Sequence, residues 1–390
     1  MGEARRIVLL GAMGQMPVAG VVWQVLHYLE GFMRLGHEVA YVEDTGSWPY
    51  DPDVETVTDD ARGAARRLAG LLDPWVGRQG WAFVNAARPA EVAGMGAQRL
   101  RAVMRDAELL VNLSGVTVLR GAHLEVPVRI YLETDPVTPQ LEMAEGRQST
   151  VDLLGAHTHH FTFGERIGQP GCAIPPGPFR FRLTRQPVVL DWWASPPPRR
   201  EGPARFTTVA AYRQPAKDVA WKGERYGWSK SEELAKLDGV PGRVPAVLEL
   251  ALACDDRPAI EALQRTGWRI VPAAPLSRDP AAYREYIRGS DAEFTVAKDQ
   301  NVRLRSGWFS DRTATYLAAG RPVVVQDTGF DVALPIGKGL LSFRTPEEAV
   351  AAIAEVAGDL PRQARAARAI AEAHFRAEDV LGRLLAEVGA

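Results

Sequence analysis

The residues between Ser310 and Thr313 carry the clearest chemical signal in the sequence. They follow a chain-breaking Ser306–Gly307 pair and begin a predicted helix that runs to Ala319, with Ser310 or Asp311 as its N-cap. Free backbone N–H groups and the positive end of the helix dipole make such a helix start a binding site for an anion such as phosphate. A capped helix in any βαβ unit shows the same local pattern, so a purely structural interpretation stays open.

The elements beside this helix place it at one edge of a parallel sheet. Glu293–Ala297 predicts a short strand before it, Gly320 ends it, and the β-branched run Val323–Val325 predicts a buried parallel strand after it. Open α/β sheets bind ligands at the carboxyl ends of such strands. Candidate ligand contacts at these strand ends and on the helix are Lys298, Ser310, Asp311, Arg312, Thr313, Asp327, Gly329 and Phe330.

Residues 306–330, SGWFSDRTATYLAAGRPVVVQDTGF, resemble the nucleotide-binding segment of GT-B-fold glycosyltransferases of the family 1 and family 4 type. In those enzymes a small-residue turn, a helix, a G-x-P-V-V strand and a D/G-containing loop surround the donor diphosphate. Residues 6–42, a strand, a loop, a helix and then LGHEV, resemble the first unit of the same fold. The resemblance implies an α/β protein with two doubly wound, Rossmann-like domains that face each other across a cleft.

The resemblance departs from the family pattern on the helix itself. The family usually has a glutamate five residues before the glycine of G-x-P, where it holds the ribose of the nucleotide. That position is Thr315 here, and the position of a second glutamate, eight residues earlier, is Gly307. The usual ribose contact is therefore missing or comes from elsewhere, which puts the identity of the nucleotide in doubt.

The βαβ pattern and the proline-rich stretches divide the chain. Residues 1–190 predict an N-terminal Rossmann-like domain, 191–204 a proline-rich linker, and 205–365 a C-terminal Rossmann-like domain. The resemblance implies that the first binds the acceptor and the second the nucleotide-sugar donor. The resemblance implies that residues 366–390 form a helix that returns to the N-terminal domain. A hinge at the linker would let the two domains close on a ligand.

Two carboxylates leave the predicted strand Arg129–Leu132 and form candidate catalytic groups. Glu133 and Asp135 follow a buried strand beside a proline, and a strand-end carboxylate in a cleft can act as a base toward an acceptor hydroxyl. The structural alternative is that Asp135 caps a helix while Glu133 is a solvated neighbour.

Three of the seven histidines cluster at positions 157, 159 and 160. They alternate on the faces of a predicted strand without a nearby carboxylate or cysteine to complete a ligand set, so we expect no metal site. His159 is a candidate for catalysis or substrate contact. No cofactor is expected other than the nucleotide sugar, which is a substrate.

The loop Gly11–Gly20 is interpreted as a mobile segment that lines the cleft on the acceptor side. It is not a dinucleotide fingerprint, because Gly11 and Gly14 do not form G-x-G-x-x-G. Gly14, Gln15 and His27 are candidate acceptor contacts. A plain βα connection is the alternative.

In the resembling enzymes, a basic residue after the first strand of the second domain often meets the donor phosphates. Arg213 is the candidate here, with Lys217 and Lys222 as further possibilities. Trp221, Tyr226 and Trp228 could stack on a sugar or base, or pack on the domain surface.

Composition limits the function classes. A net charge of −2 argues against a nucleic-acid-binding face as the main function. Two cysteines exclude a disulfide framework, and no apolar run of about 18 residues is present, so we expect a cytoplasmic protein without a membrane segment. The high arginine, alanine and proline content is typical of a bacterial gene, and a homodimer is compatible with this organisation.

These observations favour a metal-independent glycosyltransferase that moves a sugar from a nucleotide-diphosphate donor to a small molecule or glycan. Two alternatives stay open. One is a nucleotide-sugar epimerase of the same fold, for which Thr315 is equally unfavourable. The other is a non-catalytic, glycosyltransferase-like protein that lost its ribose glutamate and binds a small molecule.

Overall fold

The computed structural model describes residues 4–196 and 202–389. In the first half, the strands are β1 (Arg6–Leu10), β2 (Glu38–Glu43), β3 (Tyr50–Asp51), β4 (Thr56–Val57), β5 (Trp81–Val84), β6 (Val92–Gly94), β7 (Leu109–Leu113), β8 (Val128–Glu133), β9 (His159–Thr162) and β10 (Phe181–Leu183). The helices of this half are α1 (Ala19–Arg34), α2 (Arg62–Val76), α3 (Gly96–Asp106), α4 (Thr138–Ala144) and α5 (Gln148–Gly155).

The second half repeats this alternation. Its strands are β11 (Ala204–Ala211), β12 (Val219–Trp221), β13 (Glu224–Tyr226), β14 (Ala246–Ala253), β15 (Arg269–Pro272), β16 (Ala292–Thr295), β17 (Val323–Gln326) and β18 (Leu340–Phe343). Its helices are α6 (Ser231–Ala235), α7 (Arg257–Arg265), α8 (Ala274–Arg278), α9 (Pro280–Arg288), α10 (Asp299–Leu304), α11 (Asp311–Ala318), α12 (Pro346–Gly358), α13 (Leu360–His374) and α14 (Ala377–Glu387).

Each half forms a predominantly parallel sheet. The N-terminal sheet has the order β10-β9-β8-β7-β1-β2-β5-β6, and only β6 runs antiparallel to its neighbour. The C-terminal sheet has the order β15-β14-β11-β16-β17-β18 and is parallel throughout. In both sheets the first strand in sequence lies inside the sheet, so the chain builds outward in both directions, as in doubly wound folds.

Helices cover both faces of each sheet, which explains why β1 is apolar at four consecutive positions, from Ile7 to Leu10. On β1, Ile7 and Leu9 pack into the core beneath α1, whereas Val8 and Leu10 pack into a second core with Met104 of α3. Two-sided burial removes the alternation that a half-exposed strand would show. The expectation of two doubly wound α/β domains is confirmed.

The last helices connect the two domains. Val188 exchanges backbone hydrogen bonds with the chain at Phe375 and Ala377, at 2.7 and 3.0 Å. From there α14 packs on α1, where Gly31 leaves room for the Leu381 side chain. The chain therefore passes between the domains twice: once at the proline-rich stretch, of which residues 197–201 lie outside the described part, and again before α14.

Within the described ranges, no helix combines the length and the apolar character needed to cross a membrane.

Candidate active site

A cavity of about 1330 Å³ lies between the two domains. It is bounded by the carboxyl ends of β8 in one sheet and of β11 and β16 in the other, where the backbone turns away and exposes polar groups. Its volume exceeds the roughly 300–1,000 Å³ of common small-molecule sites. The cavity is therefore large enough to hold two substrates together.

The wall from the C-terminal domain carries cations. Arg312, in the first turn of α11, donates to Glu293 at 2.7 Å, to the Val209 carbonyl at 2.7 Å and to Thr295 Oγ1 at 3.0 Å. Lys230 Nζ lies 3.3 Å from the same Thr295 Oγ1. The two cations, which both line the cavity, thus meet at one buried hydroxyl behind its surface, although 82 residues separate them in the sequence.

Lys230 differs from Arg312 in its charge balance. Burial lowers the pKa of the Lys230 ammonium well below its ordinary value, and the positive charge of Arg312 lowers it further. No carboxylate within the described residues forms a salt bridge with Lys230, whereas Glu293 pairs with Arg312. An anion bound in the cavity would stabilise the charged form of Lys230, so this wall is suited to a phosphate group.

Lys298 is the third cation and connects the domains. Its ammonium forms an ion pair with Asp135 at the end of β8 and lies 3.3 Å above the centre of the Trp228 ring. Nearby, the Trp308 indole donates to the Thr134 carbonyl at 2.9 Å. The strand end of one domain is therefore held against the other domain at the cavity floor.

The amino end of α11 points into the cavity. Ser310 has the extended backbone of an N-cap residue but makes no side-chain capping bond, and it lines the cavity together with Asp311 and Arg312. Thr313 is buried, and its hydroxyl has no partner among the described residues. Thr315 lines the cavity too, but its hydroxyl donates to the Arg312 carbonyl at 2.6 Å. The first turn thus keeps hydrogen-bonding capacity for a ligand.

Asp311 faces the opposite domain. The Gln24 side chain of α1 donates to its carboxylate at 3.1 Å, and the Gln24 side-chain oxygen Oε1 accepts from the Ser114 hydroxyl at 3.3 Å. Ser114 in turn shares a hydrogen bond of 2.7 Å with Thr134. Burial raises the pKa of Asp311 to about 7, although the bond from Gln24 opposes this shift. This carboxyl can exchange a proton near neutral pH.

Glu133 occupies a different environment at the end of β8. The Gln140 amide donates to both of its carboxylate oxygens at 2.9 Å, and Thr162 donates to one of them at 2.6 Å. Burial raises the pKa of Glu133 to about 8. With its oxygens engaged by neighbours, Glu133 is placed to fix the strand end rather than to reach an acceptor.

The three histidines at positions 157–160 do not converge. His157 contacts Asn112 and the Leu153 carbonyl, and His160 contacts the Leu154 carbonyl. His159, the catalytic candidate, begins β9 and therefore lies at the amino edge of the sheet, away from the cavity. Its placement does not fit a catalytic role, because the cavity lies at the carboxyl edge. The sequence showed its strand but not which end of that strand faces the ligand.

The three acceptor-side candidates are held by contacts within the protein, and of these three His27 lines the cavity. Gly14 and Gln15 donate their backbone N–H groups to Glu43, at 2.6 and 2.9 Å, so the expected mobile loop is anchored. His27 is buried on α1, where its ring nitrogens meet the Val189 N–H and the Trp193 indole N–H. Burial lowers the pKa of His27 to about 3, which makes it a poor base. The face of α1 that carries His27 is thus partly core.

Several donor candidates lie outside the main cavity. Arg213 is exposed and pairs with Asp256 at 2.5 Å. Asp327 accepts from Gly329 N at 2.6 Å and pairs with Arg305 and Arg344, so it organises the loop after β17. Gly329 lies in that loop, and Phe330 is a core residue that touches only a small void behind the helix start.

The missing family glutamate before α11 has a packing reason. Gly307 has φ +76°, and a Cβ at this position would lie 2.5 Å from the backbone nitrogen of Arg166. Only glycine fits this left-handed turn against the opposite domain. The contact between domains therefore excludes an acidic side chain at 307.

Two residues that line the cavity, Lys230 and Gln24, were not predicted from the sequence. Lys230 reads locally as a solvated lysine before a short acidic helix, and Gln24 as one polar residue on the exposed side of α1. Their roles depend on contacts over 65 and 287 residues, to Thr295 and Asp311. A local pattern holds no signal for either.

The wall from the N-terminal domain carries an apolar patch. The loop after β1 and the first turns of α1 line it, followed by the ends of β7 and β8. The apolar side chains of this patch include Ala12, Met16, Val18, Val21, Leu113 and Val116. Further along the same wall, Glu133, Asp135, Glu142 and Glu145 also line the cavity, which therefore has a cationic wall on one side and an apolar patch beside carboxylates on the other.

No family model and no curated protein matches this sequence. Solved structures do match it over nearly full length. The crystal structure of Anabaena Alr3699/HepE in complex with UDP and glucose has a TM-score of 0.57 at 11% identity, and the match covers 99% of this chain and 100% of that one. An alpha-glucosyltransferase in complex with UDP-glucose and DNA containing an abasic site has a TM-score of 0.57 at 13% identity, with 100% of both chains covered.

A third match is AviGT4, a glycosyltransferase involved in Avilamycin A biosynthesis, with a TM-score of 0.53 at 14% identity over 98% of this chain and 96% of its own. The chain has the GT-B fold. The resemblance predicted from residues 306–330 is confirmed at the level of the fold. At these identities the similarity shows the fold of this chain but not its chemistry.

Proposed function

We propose that this GT-B protein is a glycosyltransferase that moves a sugar from a nucleoside-diphosphate donor to an acceptor hydroxyl. The observation that carries the proposal is the buried Lys230, which lines the cavity, has no salt-bridge partner among the described residues and shares the buried Thr295 hydroxyl with Arg312. A buried cation without a counter-ion is unfavourable unless a ligand supplies the negative charge. The cleft position between two domains fits a donor diphosphate.

In this proposal the cationic wall performs the electrostatic part of the reaction. Lys230, Arg312 and Lys298, with the free N–H groups at the start of α11, bind the diphosphate. They stabilise the negative charge that develops on the leaving nucleoside diphosphate as the bond between the anomeric carbon and the phosphate oxygen breaks. Three protein cations supply this charge, so we propose that transfer needs no metal ion.

Acceptor activation falls to a cavity carboxyl. We expected Glu133, Asp135 or His159, but Glu133 is held by Gln140 and Thr162, and Asp135 is paired with Lys298. Asp311 remains, with a pKa of about 7 and a single donor, Gln24, from the acceptor domain. We assign to Asp311 the removal of the proton from the acceptor hydroxyl. The oxygen of that hydroxyl then bonds to the anomeric carbon as the bond to the diphosphate breaks.

Uridine is the nucleoside we propose for the donor. The titles of two structural neighbours name UDP or UDP-glucose. A non-catalytic binding protein is the second candidate, favoured by Thr315 and Gly307 at the positions where the family carries glutamates. Turnover separates the two, because a binding protein would bind the nucleotide sugar without consuming it.

The test is isothermal titration of the purified protein with UDP, TDP, GDP, CMP and inorganic phosphate, followed by an assay of nucleotide-sugar consumption. We expect one nucleoside diphosphate to bind. At a hundredfold excess over its dissociation constant it should raise the free energy of unfolding by about 2.7 kcal/mol, which a thermal-shift measurement detects. We expect Lys230→Met to weaken this binding about tenfold or more, because a charge-assisted hydrogen bond contributes roughly 1.5–3 kcal/mol.

Arg213→Met is the matched control, since Arg213 is also basic and follows β11 but pairs on the surface with Asp256. It should leave the dissociation constant within about twofold. Binding of no nucleotide, or equal losses in both variants, would overturn the donor site. Binding without turnover of any sugar nucleotide would support the second candidate.

A further inference from the structure

An exposed apolar surface lies at the mouth of the cavity on the side of the N-terminal domain. We call it the apolar lip, and it consists of Met16, Val18, Trp48, Tyr50, Val54 and Val57. Trp48 is 52% exposed, and Val54 and Val57 at the hairpin formed by β3 and β4 are 64% and 58% exposed. A group of exposed large apolar side chains on one edge of a cleft is typical of a ligand-binding surface.

Backbone contacts hold the lip together as one surface. The Tyr50 N–H donates to the Gln15 carbonyl at 2.9 Å, and the Gln15 side chain donates to the Trp48 carbonyl at 3.4 Å. Tyr50 pairs with Val57 across the hairpin. Gln15 is next to Met16, which lines the cavity. The hairpin is therefore continuous with the wall of the cleft.

The hairpin also spans the mouth of the cavity. Glu55 at its tip forms an ion pair of 2.6 Å with Arg278 at the end of α8 in the C-terminal domain. Ser277, one residue earlier, lines the cavity. A molecule that enters from this side passes the lip before it reaches the donor wall.

The apolar surface continues inward to the carboxyl that we assign to proton transfer. Val18 caps α1, Val21 lies in its first turn, and Gln24, one turn further, donates to Asp311. These three α1 residues all line the cavity. At 1.5 Å per residue, Val18 and Gln24 are about 9 Å apart along the helix axis, which is about the length of a fused two-ring aromatic system.

The charge around the lip limits what can bind there. Residues 44–61 contain six carboxylates, namely Asp44, Asp51, Asp53, Glu55, Asp59 and Asp60, and no lysine or arginine. The two cations that reach the hairpin, Arg67 and Arg278, are already paired with Asp51 and Glu55. A polyanion such as DNA would meet repulsion here, whereas an uncharged molecule would not.

We propose that the acceptor is an uncharged apolar small molecule of about two fused rings that carries a hydroxyl group. Its ring system packs on the apolar lip, which includes Val18, and on Val21. Its hydroxyl reaches Asp311. This inference rests on the proposed function, because it assigns the second substrate of the same cleft. It separates this chain from the structural neighbour that was solved with DNA.

The experiment is equilibrium dialysis of the full chain, saturated with UDP, against four probes. These are 2-naphthol, its anionic analogue 2-naphthyl phosphate, maltotriose, and a 13-nucleotide single-stranded DNA. We expect 2-naphthol to bind at least tenfold more tightly than each of the others. Equal or tighter binding of the anionic probe, the sugar or the DNA would overturn the proposal.

Two lip variants locate the binding. Trp48→Ser and Val18→Ser should each weaken 2-naphthol binding about fivefold to tenfold or more, because each removes apolar contact area. Ile336→Ser is the matched control, since Ile336 is 49% exposed on the C-terminal domain and does not line the cavity. Equal affinities for 2-naphthol in all four proteins would place the probe elsewhere and reject the lip.

The dissociation constant of UDP, measured on each protein, distinguishes the two proposals. If UDP does not bind the wild-type chain, the proposed function fails and the acceptor assignment fails with it. If UDP binds normally to the wild-type and lip variants but 2-naphthol does not bind, only the acceptor class is wrong.

Discussion

The two walls of the cavity solve opposite problems with buried charge. The C-terminal wall holds cations, of which Lys230 has no salt-bridge partner in the described part of the chain. The N-terminal wall carries an apolar patch around the start of α1, and Asp311, which accepts from Gln24 of α1, has a pKa of about 7, so its neutral form is well populated at neutral pH. In the proposed function, the same cleft attracts an anionic diphosphate to one side and holds an uncharged acceptor on the other. Burial disfavours the charged form of both Lys230 and Asp311. The lysine therefore favours an anionic ligand, and the carboxyl favours an uncharged one.

The largest effect should come from the carboxyl between the walls. Asp311→Asn should lower the turnover of the nucleotide sugar about a hundredfold or more, because a positioned base contributes at least that factor. The dissociation constant of UDP should change by less than about threefold. The wild-type rate should rise as the pH passes through about 7, where Asp311 loses its proton, and the variant rate should not.

Asp135→Asn is the control for this pH profile, since Asp135 lines the same cavity but pairs with Lys298. It should keep the rise near pH 7. If Asp311→Asn keeps that rise and Asp135→Asn abolishes it, the base lies on the N-terminal strand end instead.

The second prediction concerns the cost of the unpaired cation. Lys230→Met should raise the melting temperature of the ligand-free protein by a few degrees, roughly 1 kcal/mol, although it weakens nucleotide binding. Burial lowers the pKa of Lys230 in the folded state, so the charged form is disfavoured by folding. Calorimetry at pH 7 measures the change. A lower melting temperature would mean that Lys230 stabilises the domain itself and is no site for an anion.

A third change sharpens the comparison at the missing ribose contact. Thr315→Glu should tighten UDP binding about tenfold, because a carboxylate facing the cavity can accept from ribose hydroxyls. Thr315→Gln has nearly the same shape without the charge and should gain much less. Titration calorimetry on both variants decides, and equal affinities would show that the ribose lies away from α11.

The smallest effect should be a change in pH dependence on the N-terminal side. Burial raises the pKa of Glu133 from 4.5 to about 8, so its contribution to stability is present below pH 4.5 and is lost as the pH rises through 8. Glu133→Gln should therefore flatten the decline in unfolding free energy between pH 5 and pH 9. Urea titrations at several pH values measure this, with the exposed Glu108→Gln as control. An unchanged slope would contradict the burial argument.

The sequence allowed the fold to be predicted because its signals there are local. The helix predicted from Ser310 or Asp311 to Ala319 is found at Asp311–Ala318, and the strand predicted at Val323–Val325 extends by one residue to Gln326. Capping residues, a terminal glycine and a β-branched run each act within a few residues of chain.

The site could be predicted only in part, because it depends on distant contacts. Lys230 meets Arg312 at Thr295, and the three residues come from three separate segments. His159 failed as a cavity residue for a similar reason, since the end of β9 that faces the ligand is set by its parallel pairing with β8. Residue type indicates which chemistry a side chain can perform, whereas its position in the site depends on these distant contacts.

The packing of α14 on α1 has a consequence for the order in which the protein can be completed during synthesis. α1 and Val188 belong to the first half of the chain, but Leu381, Phe375 and Ala377, which contact them, are translated almost 190 residues after Val188. At 5–20 residues per second, the groove on α1 stays uncovered for roughly 10–40 seconds after Val188 is translated. A nascent chain would therefore expose apolar surface of its first domain until the last helix emerges. We expect a chaperone to bind the ribosome-bound intermediate at this groove.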